Sequence, residues 1–271
     1  MNRRELILKE MGLGPRWRLR TATDAAPSDG ACELDAAPNP ATGDRDADLP
    51  PRGEKAARPV VKADLANGAD GVRSDNILAM QWPALKAAVA GCTACGLCKT
   101  RTNTVFGVGD EEADWMLVGE APGAEEDARG EPFVGQAGRL LDNMLSAIDL
   151  ARGKSVYIAN VLKCRPPGNR NPEPGEVARC SPHLIRQIAL IRPKLIVAMG
   201  RFAAQTLLAS DASISSMRGR RYQYQGVPLI VTYHPAYLLR SLQDKSKAWE
   251  DLLFARRTMR SLAAPSPQTG G

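Results

Sequence analysis

Four short apolar runs, each followed by a stretch with helical periodicity, constrain this chain more than any other feature. They occupy residues 115–119 (WMLVG), 156–162 (VYIANVL), 195–199 (LIVAM) and 229–233 (LIVTY). A strand that is apolar at every position, rather than at alternate ones, must be covered on both faces, as happens in parallel sheets flanked by helices. The intervening segments supply those helices. Residues 138–150 place Leu140, Leu141, Met144, Leu145 and Ile148 on one face, and 173–192, 201–209 and 246–262 read as further helices. The expected fold is α/β: a three-layer α/β/α domain around a central four-stranded parallel sheet. Such sheets hold ligands just past the carboxyl ends of their strands. Glu120, Asn160 and His234 stand there.

Composition divides the rest of the chain. Residues 21–75 are rich in Ala, Asp, Pro and Gly and poor in aromatic and β-branched residues, too little to offset the entropy of ordering. They are expected to be a disordered linker. Residues 1–20 carry a short amphipathic helical pattern around Leu6, Ile7 and Leu8, suited to docking on a protein partner. The expected domain runs over 76–262 and opens with a helical stretch at 77–90 that Pro83 interrupts, and 263–271 is a disordered tail. The net charge is +6 and its positive excess falls within 76–262, a weak pointer to a polyanion. No apolar run approaches the roughly 20 residues that span a bilayer, and the first residues lack the plan of a signal peptide. The expectation is a cytoplasmic monomer.

Six cysteines in a reducing compartment argue against disulfides and toward metal or redox chemistry. Cys92, Cys95 and Cys98 fall in GCTACGLCKTR, while Cys164 and Cys180 lie far along the chain. CxxC puts two thiolates on one tight turn, and a distant pair completes a four-thiolate site. Spacing alone leaves tetrahedral zinc and an iron–sulfur cluster open. Cys32 sits in the linker and is expected to be a free thiol. Cys98 offers a third thiolate for two places.

Four segments carry a more specific signal: GEAPGAEEDARGEPFVGQAG (119–138), YIANVLKCRPPGNRNP (157–172), Cys180 and YHPAYLLR (233–240). With the CxxC pair they resemble the family 4 uracil-DNA glycosylases, the iron–sulfur branch of the uracil-DNA glycosylase superfamily, over about residues 85–262. The resemblance implies a parallel four-stranded α/β/α domain, which agrees with the strand pattern. It also implies a four-iron, four-sulfur (4Fe-4S) cluster on Cys92, Cys95, Cys164 and Cys180, with Cys98 not required. The partner it implies is uracil-containing DNA.

Removing uracil requires that the base leave the stack, enter a pocket and be held while its bond to the sugar breaks. Negative charge then builds on the ring and positive charge on the sugar. His234 is expected to donate to uracil O2, a contact worth about 3 kcal/mol in a dry site. Asn160 is expected to donate to O4 and accept from N3–H, a pattern that cytosine reverses. The resemblance assigns Phe133 to stacking on the flipped ring. The GEAPG turn brings backbone amides at Ala121 close to the base. Glu120 is expected to position or activate water, and Glu126 matches a position beside the base that helps exclude the thymine methyl. Lys163, Arg165, Arg170, Arg218, Arg220, Arg221 and Arg240 are the expected phosphate contacts. Leu238, Leu239 or Arg240 is expected to fill the gap the base leaves. His183, close after Cys180, is read as packing or exposed.

Two other readings compete. A non-catalytic iron–sulfur DNA-binding or polymerase-associated module would keep the cysteines and basic loops but could dispense with Glu120, Asn160 and His234; this chain has all three. A relative that bonds covalently to the abasic sugar through a histidine in an inserted basic loop would need a KRRIH-like insertion between Cys180 and His234, and there is none.

Overall fold

The computed structural model describes residues 68–263. The helical segment expected at 1–20, most of the linker and nearly all of the tail lie outside them. The helices in chain order are α1 (Gly68–Ala79), α2 (Trp82–Ala90), α3 (Ala124–Arg129), α4 (Gln136–Ala147), α5 (Pro174–Ile191), α6 (Arg201–Leu208), α7 (Ile214–Met217), α8 (Pro235–Leu238) and α9 (Lys245–Ala263). The helix expected at 77–90 is two helices, because Pro83 can sit only in a first turn, where no backbone donor is missed. The first of them, α1, begins at Gly68, inside the stretch assigned to the linker, and packs on α5.

The strands are β1 (Val108–Gly109), β2 (Trp115–Gly119), β3 (Val156–Asn160), β4 (Leu195–Met199), β5 (Arg221–Tyr224) and β6 (Val227–Thr232). They form one sheet in the order β1-β3-β2-β4-β6-β5. The four expected strands are its parallel centre, β3-β2-β4-β6. The sheet is nevertheless six-stranded and mixed, since β1 and β5 add antiparallel edges. Both edges escape a search for apolar runs: one is two residues long, and the other, RYQY, is mostly solvent-facing.

Successive strand residues point to opposite faces, and the core divides accordingly. Met116, Val118, Ala159, Ile196, Ala198 and Val231 pack against α5 and α6 on one side. Trp115, Leu117, Ile158, Leu195, Val197 and Ile230 pack against α4 and α9 on the other. That is the three-layer arrangement. The chain passes from β2 to its neighbour β3 and then crosses back to β4 on the other side of β2. This reversal leaves a crevice past the strand ends, and β2, β3 and β6 deliver Glu120, Asn160 and His234 toward it.

Candidate active site and cysteine cavity

A cleft of about 300 Å³ lies past the strand ends, lined by Glu120, Ala121, Glu126, Phe133, Asn160, His234 and Arg240 among others. Its floor depends on Gly119. A Cβ there would collide with the Asn160 carboxamide oxygen and come within 2.7 Å of Phe133 Cζ. Gly119 is paired in register with Asn160 across β2 and β3, so these two strand ends fix the distance between the GEAPG turn and the asparagine. Asn160 is 2% exposed, and its Oδ1 has no hydrogen-bond partner. A buried acceptor left unpaired costs about 1–3 kcal/mol.

His234 follows β6 and caps α8: its Nδ1 accepts from the Ala236 N–H at 3.1 Å. An imidazole that accepts at Nδ1 carries its proton on Nε2. Burial, aided by the charge on Arg240 and opposed by Glu126, lowers its pKa to about 4. The ring is therefore a neutral Nε2–H donor at physiological pH. Phe133 stacks beside it, ring centroids 5.4 Å apart at 30°. Gly200 supports the imidazole from behind, since its φ of +93° and a Cβ–Cβ approach of 2.9 Å admit only glycine. Glu120 sits at the rim with its pKa raised by burial, partly offset by Arg201.

Glu126 does more than line the wall. One carboxylate oxygen accepts from Gly123 N–H at 3.1 Å, and the other from Val134 N–H at 3.1 Å and Gly135 N–H at 3.4 Å. It thereby ties the GEAPG turn to the loop carrying Phe133. Phe133 itself holds a left-handed backbone, φ +55°, a conformation that costs a non-glycine residue about 1–3 kcal/mol. Arg152 holds it there. Its guanidinium donates to Pro132 O at 2.9 Å and Phe133 O at 2.8 Å and pairs with Asp142 at 3.0 Å. Sequence reasoning missed Arg152, because a single arginine in a turn before a strand resembles any solvated charge.

Several expected DNA contacts are corrected by burial. Lys163 is 2% exposed, and its Nζ donates to Asn160 O at 2.8 Å and Gln187 Oε1 at 2.7 Å, so it reaches no phosphate. Arg218 is spent on Asp251 at 2.6 Å and lies over the Tyr233 ring at 4.8 Å. Leu238 is 1% exposed and packs in the core, which removes it as a wedge. Leu239 and Arg240 remain exposed beside the cleft. Arg165 is bonded to Asn169 at 2.8 Å, and Arg170 is held by Glu176 at 2.6 Å, so each is pre-positioned at the rim. Arg220 and Arg221 are exposed; Arg221 pairs with Ile230 and so lies toward the same end of β6 as His234.

Cys92, Cys95, Cys98, Cys164 and Cys180 line a second, separate cavity together with Leu97 and Leu162. Donors point into it. Arg101 Nη1 lies 3.0 Å from Cys164 Sγ, Arg73 Nη2 3.4 Å from Cys92 Sγ, and the Lys163 N–H 3.3 Å from Cys180 Sγ. Burial pushes the thiol of Cys180 up to about 12 and raises Cys164 and Cys95 as well. Bare thiolates are thus disfavoured unless a cation joins them. Among the described residues, no three His, Cys, Asp or Glu side chains converge on a single-ion position. His183, read from sequence as packing or exposed, is 1% exposed and lines this cavity.

An α/β sheet whose strand ends present a carboxamide, a neutral histidine and a stacking aromatic ring defines a protein that captures a planar, hydrogen-bonding ring. Residues 106–253 match the uracil DNA glycosylase superfamily. The type-4 uracil-DNA glycosylase of Archaeoglobus fulgidus is 50% identical over 159 residues, 56% of this chain and 79% of that protein. Those of Thermotoga maritima and Pyrobaculum aerophilum are 45% identical over 159 residues and 42% over 172, covering 58% and 60% of this chain and 82% and 87% of theirs. The chain belongs to the uracil-DNA glycosylase superfamily, and within it to the type-4 group.

Proposed function

We propose that this chain is a DNA repair enzyme that flips uracil out of DNA and hydrolyses its N-glycosidic bond, leaving an abasic site. The observation that carries the reading is the meeting, in one cleft, of the orphaned Asn160 Oδ1 and the neutral Nε2–H of His234. Uracil offers N3–H to Asn160 Oδ1 and O4 to its amide. Cytosine, lacking N3–H, leaves the buried oxygen unpaired, which favours uracil. His234 donates to O2 as charge builds on the departing ring, already in the required tautomer. Phe133 stacks on the base, and the backbone at Ala121 borders it. Glu120 holds the attacking water and faces the cationic sugar with its negative charge. Glu126 narrows the wall where a thymine methyl would sit. Arg165, Arg170, Arg220, Arg221 and Arg240 take the phosphates, and Leu239 or Arg240 fills the vacated stack.

The cysteine cavity fits a 4Fe-4S cluster held by Cys92, Cys95, Cys164 and Cys180. The inward donors from Arg73, Arg101 and the Lys163 N–H are of the kind that stabilise anionic sulfur. Bound there, the cluster would cross-link the CxxC turn to the chain after β3 and to α5. Among the described residues no helix is long and apolar enough to cross a membrane. A cytoplasmic monomer that docks another protein through residues 1–20 completes the reading.

The test is a uracil-containing oligonucleotide incubated with the purified protein, followed by measurement of free uracil and of alkali-sensitive sites. Uracil release without strand cleavage is expected. Buried Lys163, its amine occupied by Asn160 and Gln187, leaves water as the nucleophile. A covalent adduct trapped by borohydride would refute that route, and tight DNA binding with no release would favour the non-catalytic module.

A further inference from the structure

Helix α1 lies before the matched family region and reaches the cysteine cavity with one side chain. The Arg73 guanidinium is a three-way clasp: Nη1 donates to Arg179 O at 2.9 Å, while Nη2 stands 3.4 Å from Cys92 Sγ and 3.2 Å from His183 Nε2. Arginine has donors only and stays protonated. His183 Nε2 must therefore accept, and the proton of its neutral ring is fixed on Nδ1. That Nδ1 is buried and has no protein partner, although the residue borders the cavity shared by the five cysteines. Arg101 and the Lys163 N–H already direct donors at cysteine sulfurs that line the same cavity. A buried N–H without an acceptor is destabilising, and the cavity that His183 lines brings five cysteine sulfurs to the same wall as acceptors.

We propose that His183, oriented by Arg73, donates an Nδ1–H hydrogen bond to a sulfur of the cluster and so tunes its reduction potential and its retention. The inference rests on the cluster reading above. A donor to cluster sulfur stabilises the more negative, reduced state and raises the potential. It also holds the cluster against loss, as outer contacts to metal ligands do. Arg73 thereby joins α1 to the same site, which gives the helix before the matched family region a chemical role as well as a packing one.

The experiment uses the full-length protein purified anaerobically. Colourless, iron-free wild type would remove the cluster reading itself. With the cluster present, His183→Leu is expected to lower the midpoint potential. A tenfold change in the oxidised-to-reduced ratio corresponds to about 59 mV for one electron. It should also speed bleaching by a chelator roughly tenfold. His183→Asn, whose amide nitrogen overlays Nδ1, is expected to restore both. A brown His183→Leu protein with unchanged potential and bleaching would overturn the proposal. Should the leucine variant fail to fold, wild type labelled with ¹⁵N-histidine and reduced to its paramagnetic state decides. The chain has two histidines, and His234 lies in the other cavity. A nitrogen coupling to the cluster that survives in His234→Ala supports the bond, and its absence refutes it.

Discussion

The strand-end cleft and the cysteine cavity share one short segment, residues 160–164, and each keeps one buried polar atom without a protein partner. In the cleft it is an acceptor, Asn160 Oδ1; in the cysteine cavity it is a donor-capable ring nitrogen, His183 Nδ1. The difference tracks what each must hold. In the cleft Glu126 occupies the backbone donors of Gly123, Val134 and Gly135, while the Asn160 acceptor and a neutral histidine stand open to a visiting ring that brings its own N–H. The cysteine cavity turns Arg73, Arg101 and the Lys163 N–H inward, a lining suited to anionic sulfur. Lys163 stands between the two, its N–H on Cys180 and its amine on the Asn160 carbonyl.

The harshest way to break the comparison is to empty the permanent site. Cys164→Ser is expected to lose the absorption near 400 nm and the bound iron. Because metal binding in such a site is also folding free energy, it should destabilise the 160–164 segment and abolish uracil release with it. Cys98→Ser should retain colour, iron and activity. Cys98 lines the cavity too, so bleaching as complete as that of Cys164→Ser would transfer it to the ligand set. Iron content and single-turnover assays on both variants decide.

Next in size are changes confined to the cleft. His234→Ala should lower the single-turnover rate on the order of 10² to 10³-fold, with DNA affinity little changed and the 400 nm absorption intact. Asn160→Ala should follow the same pattern and also weaken the preference against cytosine. Wild-type rates in His234→Ala would remove the histidine from the mechanism.

Acidity probes the cleft more gently. Both Glu120 and His234 act in their deprotonated forms, so the rate should fall as pH falls. The first loss comes from Glu120, whose pKa burial raises above the ordinary carboxylate value. The second comes near pH 4, where Nδ1 of His234 takes a proton and releases the Ala236 N–H. Glu120→Gln should be slower at every pH yet keep its remaining rate down to about pH 4. An unchanged acid limb in that variant would assign the limb elsewhere.

The contrast between the two sites also explains what the sequence made legible. The central strands could be read because unbroken apolar runs such as WMLVG and LIVAM have no other home than a doubly covered sheet. Glu120, Asn160 and His234 followed, since strand ends and a multi-part motif both pointed to them. Side-chain direction was the hidden part. Lys163 and Arg218 read as phosphate contacts, but the first is folded back onto the Asn160 carbonyl and the second onto Asp251. The α1 helix was hidden within a biased composition, and the role of Arg73 appears only once α1 rests on α5 beside Cys92. Arg152 was illegible for a related reason: its partners are backbone carbonyls of Pro132 and Phe133, which leave no mark in a sequence.

The smallest expected effect lies outside both cavities. Arg220 is exposed in the turn just before β5, next to Arg221, which pairs with Ile230 and so faces the end of the sheet where His234 stands. A cation there can meet a phosphate without touching a base. Each phosphate neutralised releases counterions, so the logarithm of affinity falls with the logarithm of salt by about 0.9 per contact on duplex and about 0.7 on single strands. Arg220→Ala should therefore lower the magnitude of that slope by about this amount, weakening uracil-containing and ordinary DNA alike. The single-turnover rate at saturating protein should hold, because the flipped base rests on Asn160, Phe133 and His234. Titrations at several salt concentrations measure the slope. An unchanged slope would take Arg220 off the DNA path, whereas a lower saturating rate would mean that this edge of the sheet also shapes the cleft.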